Sequence, residues 1–233
     1  MALVTLIAGL LGFALALRVV PRLLAPQGAG VDHWFWKTYV ETYQRTRAFP
    51  PVLPQYLMDE HQWYPPLFPI ILAWLPRQAF DWFSRYIAVV IDLLRLLLLL
   101  GVAYWQSAGN LTVIAMAGTI YATIPILTSY NAQLNPRGLG ALMLEVALML
   151  MLAFYLGRVG VWIWVPIVVL GGLILLTHKM TTQLFWFIVL GTAVIYRKWA
   201  LLALIPVSMV AAMAFSGGFY WNVLRAHWDI VAF

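Results

Sequence analysis

The chain has no cysteine and little charge: of its 233 residues, 9% are Asp, Glu, Lys or Arg, and only 8 are acidic. Without cysteine there is no disulfide framework, thiol nucleophile or Cys-based zinc site, so a metal would have to rest on His or carboxylates. A soluble globular chain carries about 25% charged residues, well above the fraction here. Internal repeats and low-complexity segments are also missing. So are the P-loop, G-x-S-x-G and H-E-x-x-H motifs, which leaves nucleotide hydrolysis and the familiar hydrolase chemistries without support.

What remains is strongly apolar. Hydrophobic residues make up 64% of the chain, and mean hydropathy is +0.89. No soluble core buries that much apolar surface, so lipid has to be the solvent for most of it. The net charge of +6 comes from 14 Lys and Arg. They sit mostly beside apolar runs, where anionic lipid head groups are expected partners and nucleic acid is not.

The runs approach the roughly 20 residues of a helical crossing, and backbone groups in hydrocarbon must be satisfied internally, which favours helices. The sequence predicts an all-α integral membrane protein, one transmembrane domain over 1–233 with about seven spans. These are Ala2–Val20, then 82–106, 111–129, 138–157, 161–177, 181–196 and 200–215. The first run lacks a Lys/Arg n-region and reads as a retained helix, with Arg18 and Arg22 at its exit. A long loop, 25–81, with interfacial helices separates the first two spans. Counting crossings puts the polar stretches on one side: Gly28–Pro66, Asn131–Arg137, His178–Lys179, Arg225–Asp229 and the Arg85 end of one helix. The opposite side carries Arg158, Arg197 and Lys198, with no acidic residue. A positive-inside count would put the arginine-rich loop side in the cytoplasm, but that rule weakens where Lys and Arg have site roles.

In the long loop, residues 32–47 pattern as an amphipathic interfacial helix. Trp36, Tyr39 and Tyr43 recur at i, i+3 and i+7, and aromatic rings beside basic residues suit the head-group zone. Such a stripe equally serves to anchor the loop. Asp32 stands at the helix start, as an N-cap, a general base or a metal ligand. After the proline-rich stretch Phe49–Pro54, Asp59, Glu60 and His61 offer ligands or acid/base groups ahead of a short apolar helix, Leu67–Leu75. Alone, such a triplet is usually a solvated turn.

Inside the spans, Asp92 and Arg95 lie at i, i+3, where they can neutralise each other or mark a functional site. Glu145 has no basic residue three or four places away in sequence and is expected to face the bundle interior, toward Arg95 or Arg85. The segment Ser129–Gly138 combines Asn131, Asn135 and Arg137 with Pro and Gly at a helix start. That set makes either an anion cradle or an ordinary polar turn with a snorkelling arginine. His178 and Lys179 end another span on the same side, as a helix cap or as anion ligands. Arg225, with His227 and Asp229, follows the Ser216-Gly217-Gly218 break on that side too.

An Asp just ahead of an aromatic interfacial helix, followed by Trp63-Tyr64-Pro65-Pro66-Leu67-Phe68-Pro69 leading into the second span, resembles the amino-terminal module of the GT-C glycosyltransferases. These polytopic enzymes include protein mannosyltransferases, aminoarabinose transferases and the catalytic subunit of oligosaccharyltransferase. The layout covers most of the chain, while the motif match is confined to two or three short stretches. The resemblance implies that the long loop is non-cytoplasmic and that Asp32 is the catalytic carboxylate. It implies donor phosphate contact by Arg137 and by His178 or Lys179, with Asn131, Asn135, Asp59, Glu60, His61 and Arg225 as further substrate-binding positions. The second acidic residue that many members carry two places from the first is absent from Val31-Asp32-His33-Trp34. A divalent cation, Mg or Mn, is therefore an open question, with Asp32 and Glu60 as candidate ligands. The Trp-Trp-Asp signature of oligosaccharyltransferase is also absent. Members normally run longer, which implies a further carboxy-terminal segment or a partner subunit.

The expected reaction is inverting transfer of a sugar from a polyprenyl-phosphate carrier to an acceptor at the non-cytoplasmic face. The expected setting is the inner membrane of a prokaryote or the endoplasmic reticulum. A carboxylate base near the interface takes the acceptor proton, and cations hold the developing phosphate charge. The competing expectation is a non-catalytic scaffold or a transporter with Asp92, Arg95 and Glu145 on its pathway. The paired, symmetric helix breaks common in transporters are not found.

Overall fold

Helices follow the apolar runs. The computed structural model describes residues 1–24, 30–54, 58–131 and 133–232. It is helical nearly throughout: α1 Ala2–Leu24, α2 Val31–Thr46, α3 Leu67–Ala73, α4 Arg77–Gln106, α5 Leu111–Thr123, α6 Pro125–Tyr130, α7 Arg137–Tyr155, α8 Trp164–Leu175, α9 Lys179–Ile195, α10 Leu204–Phe215 and α11 Tyr220–Ala232. Short 3-10 turns, Val161–Ile163 and Trp199–Ala203, lead into α8 and α10. One small antiparallel ladder pairs β1 (Val52–Leu53) with β2 (Met58–His61).

Among the described residues three helices, α1, α4 and α7, are long and apolar enough to cross a membrane. Others among the expected crossings are shorter. α5 has 13 residues and α9 has 17, or about 20–26 Å at 1.5 Å per residue, against a hydrocarbon thickness of about 30 Å. The span expected at 111–129 is broken in two. Pro125 pushes the residue before it out of the helical region, and Ile124 is extended, with φ −61 and ψ 117. α4 begins five residues earlier than the apolar run suggests, directly behind Pro76.

The chain divides into two compact units, Met1–Thr38 with Pro76–Gly138, and Tyr39–Leu75 with Leu139–Phe233. In the first, α1, α4 and α5 pack around Leu10, Ala14, Leu96, Leu100, Ile114 and Tyr121. α1 and α4 approach α5 closely at Gly118, where a Cβ would stand 2.6 Å from Leu10 Cδ1 and 2.9 Å from Leu100 Cδ2. Small residues permit that approach where lipid offers no hydrophobic drive for helix association. α5 starts on Asn110, whose Oδ1 accepts from Thr112 N at 3.0 Å in an N-cap.

In the second unit, α8 crosses α10 at Gly172, where a Cβ would lie 2.9 Å from that of Ala211. The core there runs through Met143, Leu144, Ile167, Ile174, Phe185 and Val189. Outward faces stay apolar: Met116 and Ile120 on α5, Phe187 on α9 and Val210 on α10 are all well over half exposed. Apolar surface of that extent marks a membrane or a partner, and the long apolar helices favour the membrane.

Candidate active site

α2 begins directly after Gly30, whose φ of +84° suits a residue without a Cβ. A Cβ there would collide with the Gln133 amide. Asp32 therefore sits inside the first turn of α2, one residue past its start. A carboxylate there complements the positive end of the helix dipole without capping it. Arg137, the first residue of α7, reaches it from the other direction. Arg137 Nη2 donates to Asp32 Oδ2 at 3.2 Å, and the two side chains are 37% and 38% exposed. The pair is open enough for a ligand to reach both partners.

The segment from Asn131 to Arg137 is held at several points. Asn131 Nδ2 donates to Asp92 Oδ1, Gln133 lies against Gly30, and Leu134 is fully buried. Asn135 Nδ2 donates to Gln133 O at 3.1 Å, and Asn135 Oδ1 accepts from Arg137 N at 3.0 Å. Both asparagines, expected to bind substrate, are buried and their amides are engaged within the protein. They shape the segment that carries Arg137.

Behind this segment lies a polar cluster that local spacing did not reveal. The sequence offered Arg95, one turn along α4, as partner to Asp92. The structure brings Arg18 from 74 residues away, Nε donating to Asp92 Oδ2. Tyr121 Oη donates to Asp92 Oδ1 at 2.7 Å. Arg18 Nη1 donates to Ala14 O at 3.1 Å and Ala122 O at 3.3 Å. Arg18 and Arg95 each stand about one ring-stacking distance from Tyr121, at 5.8 and 6.0 Å from its centroid. A buried ion pair keeps its place only with close geometry and extra hydrogen bonds, and Asp92 has both.

His33 was also missed. It is buried beside Asp32, and its Nδ1 has no hydrogen-bond partner among the described residues. Burial, followed by the positive charges of Arg22, Lys37 and Arg85, lowers its pKa to about 4. Lys37 pairs with Asp81 at 3.0 Å, and Arg22 Nη1 donates to the carbonyl of Arg85. The first two turns of α2 thus pair a carboxylate with a cation on one side and bury a neutral imidazole among cations on another. The available signal was His33 and Lys37 at i, i+4 on an amphipathic helix.

The remaining expected residues belong to the second unit. Asp59, Glu60 and His61 lie on β2; the side chains of Asp59 and Glu60 lie outside the described residues, as do those of His227 and Asp229. His61 Nδ1 lies 2.9 Å from Pro50 O. Its ring neighbours Trp63, which stacks on Phe219 at 5.5 Å. Leu67 N donates to Leu176 O at 2.8 Å, fastening the start of α3 beside the loop that holds His178. His178 precedes α9 in an extended conformation without a side-chain cap bond, and its carbonyl accepts from Thr182 N at 3.0 Å. Lys179 is half-buried, and Arg225 is exposed on α11. The second unit therefore gathers the 61–67 segment, the start of α9 and the start of α11 at one end. Glu145 is half-buried in α7.

Among the described residues, no group of three or more His, Asp or Glu is placed to hold a metal ion. What the first unit does assemble is a reachable carboxylate able to take a proton, in contact with a guanidinium able to hold a phosphate. Family models, characterised proteins and solved structures offer no match to this chain.

Proposed function

We propose that the chain is a GT-C-type membrane glycosyltransferase that moves a sugar from a polyprenyl-phosphate carrier to an acceptor at the non-cytoplasmic face. The proposal includes about seven spans, with the shorter helices crossing a locally thinned bilayer, in a prokaryotic inner membrane or the endoplasmic reticulum. The observation that carries it is the half-exposed Asp32–Arg137 pair.

Arg137 suits phosphate geometry. A donor phosphate arriving beside it competes with Asp32 for the guanidinium and frees a carboxylate oxygen for the acceptor. Asp32 then takes the proton of the acceptor hydroxyl as its oxygen bonds to the anomeric carbon. The bond from that carbon to the phosphate oxygen breaks, and the polyprenyl phosphate leaves with the electron pair. One displacement inverts the anomeric centre. The other residues that this reading assigns to donor and acceptor binding, His61, His178, Lys179 and Arg225, belong to the second unit, and the step above uses residues of the first unit alone.

The transport alternative places Asp92 on a pathway. Its carboxylate is fully buried and accepts from three side chains, which suits a structural lock better.

The test is transfer from a radiolabelled polyprenyl-phosphate sugar in membranes carrying Asp32→Asn or Arg137→Ala. Asp32→Asn should lose transfer by at least about 100-fold, the usual scale for a positioned base, and Arg137→Ala by about 100-fold or more, the scale for removing a donor to developing charge. Wild-type turnover with Asp32→Asn would remove Asp32 from the mechanism.

A further inference from the structure

A groove of about 630 Å³ opens between the ends of α7 and α9 and the starts of α8 and α10, all within the second unit. It lies at the far end of α8 and α9 from His178 and Lys179, so it is separate from the expected sugar-transfer residues. Its walls are apolar and aromatic, with Tyr155, Trp164 and Val207 among them, and Phe154 packs edge-on against Trp164 at 5.2 Å. Two adjacent cations, Arg197 and Lys198, and Trp199 stand along it. All three are exposed.

Three observations point to what fits. First, the lining is apolar apart from two cations and carries no carboxylate, so an occupant must offer a long apolar part and a compact negative charge. Second, the short loops on this side contain Arg158, Arg197 and Lys198 and no acidic residue, so among the described residues no carboxylate of these loops or of the groove lining neutralises the pair. Third, Arg197 has φ +52°, a left-handed conformation at a helix end where glycine is the usual choice. α7 ends on Gly157 at φ +67°. Arg47 and Ala108 take the same conformation just past other helix ends; what is particular to Arg197 is that this turn sets a cation at the mouth of the groove.

We propose that this groove holds one anionic glycerophospholipid. The phosphate sits against Arg197 and Lys198, Trp199 and Trp164 lie at head-group level, and an acyl chain runs along Val207 and Tyr155. Basic pockets between membrane helices bind anionic head groups in this way, and aromatic rings with one polar edge belong at that depth. The proposal does not rest on the sugar-transfer reading.

The test uses the full chain reconstituted with equal amounts of phosphatidylglycerol and phosphatidylcholine, extracted in mild detergent and weighed by native mass spectrometry. One phosphatidylglycerol should be retained in preference to phosphatidylcholine. Arg197→Gln with Lys198→Gln should lower its retention about tenfold or more, from about 1 kcal/mol per interfacial cation. Val207→Trp should fill the apolar part and lower retention with both charges intact, so it decides the matter even if the double variant fails to fold. Arg158→Gln, a cation on the same side but outside the groove, should change nothing. Three outcomes overturn the proposal: equal retention of the two lipids, an equal loss with Arg158→Gln, or displacement of the lipid by inorganic phosphate.

Discussion

Arg18 and Asp92, 74 residues apart in sequence, meet with 1% and 0% of their surfaces exposed. The contact joins α1 to α4. Tyr121 and Asn131 complete the shell around the carboxylate.

Removing one partner strands the other. Asp92→Leu should destabilise the protein by about 3–5 kcal/mol, because it leaves a buried, unpaired guanidinium. Arg18→Leu together with Asp92→Leu should recover most of that loss. Thermal unfolding in lipid nanodiscs distinguishes the two, and a double variant as weak as the single would show that the pair is not the source of the effect.

Asn131→Ala should cost less, about 1–3 kcal/mol, since it leaves one buried acceptor short of a donor. It should also loosen the segment that carries Arg137. If the transferase reading holds, turnover should fall while Asp32 and Arg137 are both present, and wild-type turnover would show that the segment needs no such anchor.

The buried imidazole sets a pH dependence. His33 has its pKa lowered from 6.5 to about 4, so the folded state holds it neutral. Below pH 6.5 the unfolded chain takes up a proton that the folded chain refuses. Stability should therefore fall as pH drops from 6.5 toward 4 and level off below. His33→Gln should flatten that stretch of the curve. Parallel unfolding curves for the two proteins across this range would dismiss His33 as the cause.

Two glycines on neighbouring helices should respond in opposite directions. Gly101 in α4 has open space around its Cα, whereas a Cβ on Gly118 meets Leu10 and Leu100. Gly101→Ala should gain about 0.5–1 kcal/mol from helix propensity. Gly118→Ala should lose about 1–3 kcal/mol through overpacking. Equal shifts in unfolding temperature would refute the close α1–α5 approach.

The apolar runs made the helices legible, because hydrophobicity of that length is a property of composition alone. The positions of Asp32 and Arg137, each at a helix start, were also legible, although their contact was not. The partner of Asp92 was hidden for a plain reason: a neighbour at i+3 is visible in the sequence, and a guanidinium brought in by packing is not. His33 went unnoticed because its i, i+4 spacing to Lys37 says nothing of burial. Its setting depends on cations from α1 and α4. The shortness of α5 and α8–α10 was equally hidden, since apolar composition continues through 3-10 turns and proline breaks.

The break at Pro125 has a consequence of its own. In an uninterrupted helix, ten residues climb about 15 Å, yet Tyr121 and Asn131 touch the same oxygen of Asp92. The interruption shortens the path between them, so that both side chains donate to one acid. A proline that looks like damage to a membrane helix is what lets the chain grip its own interior.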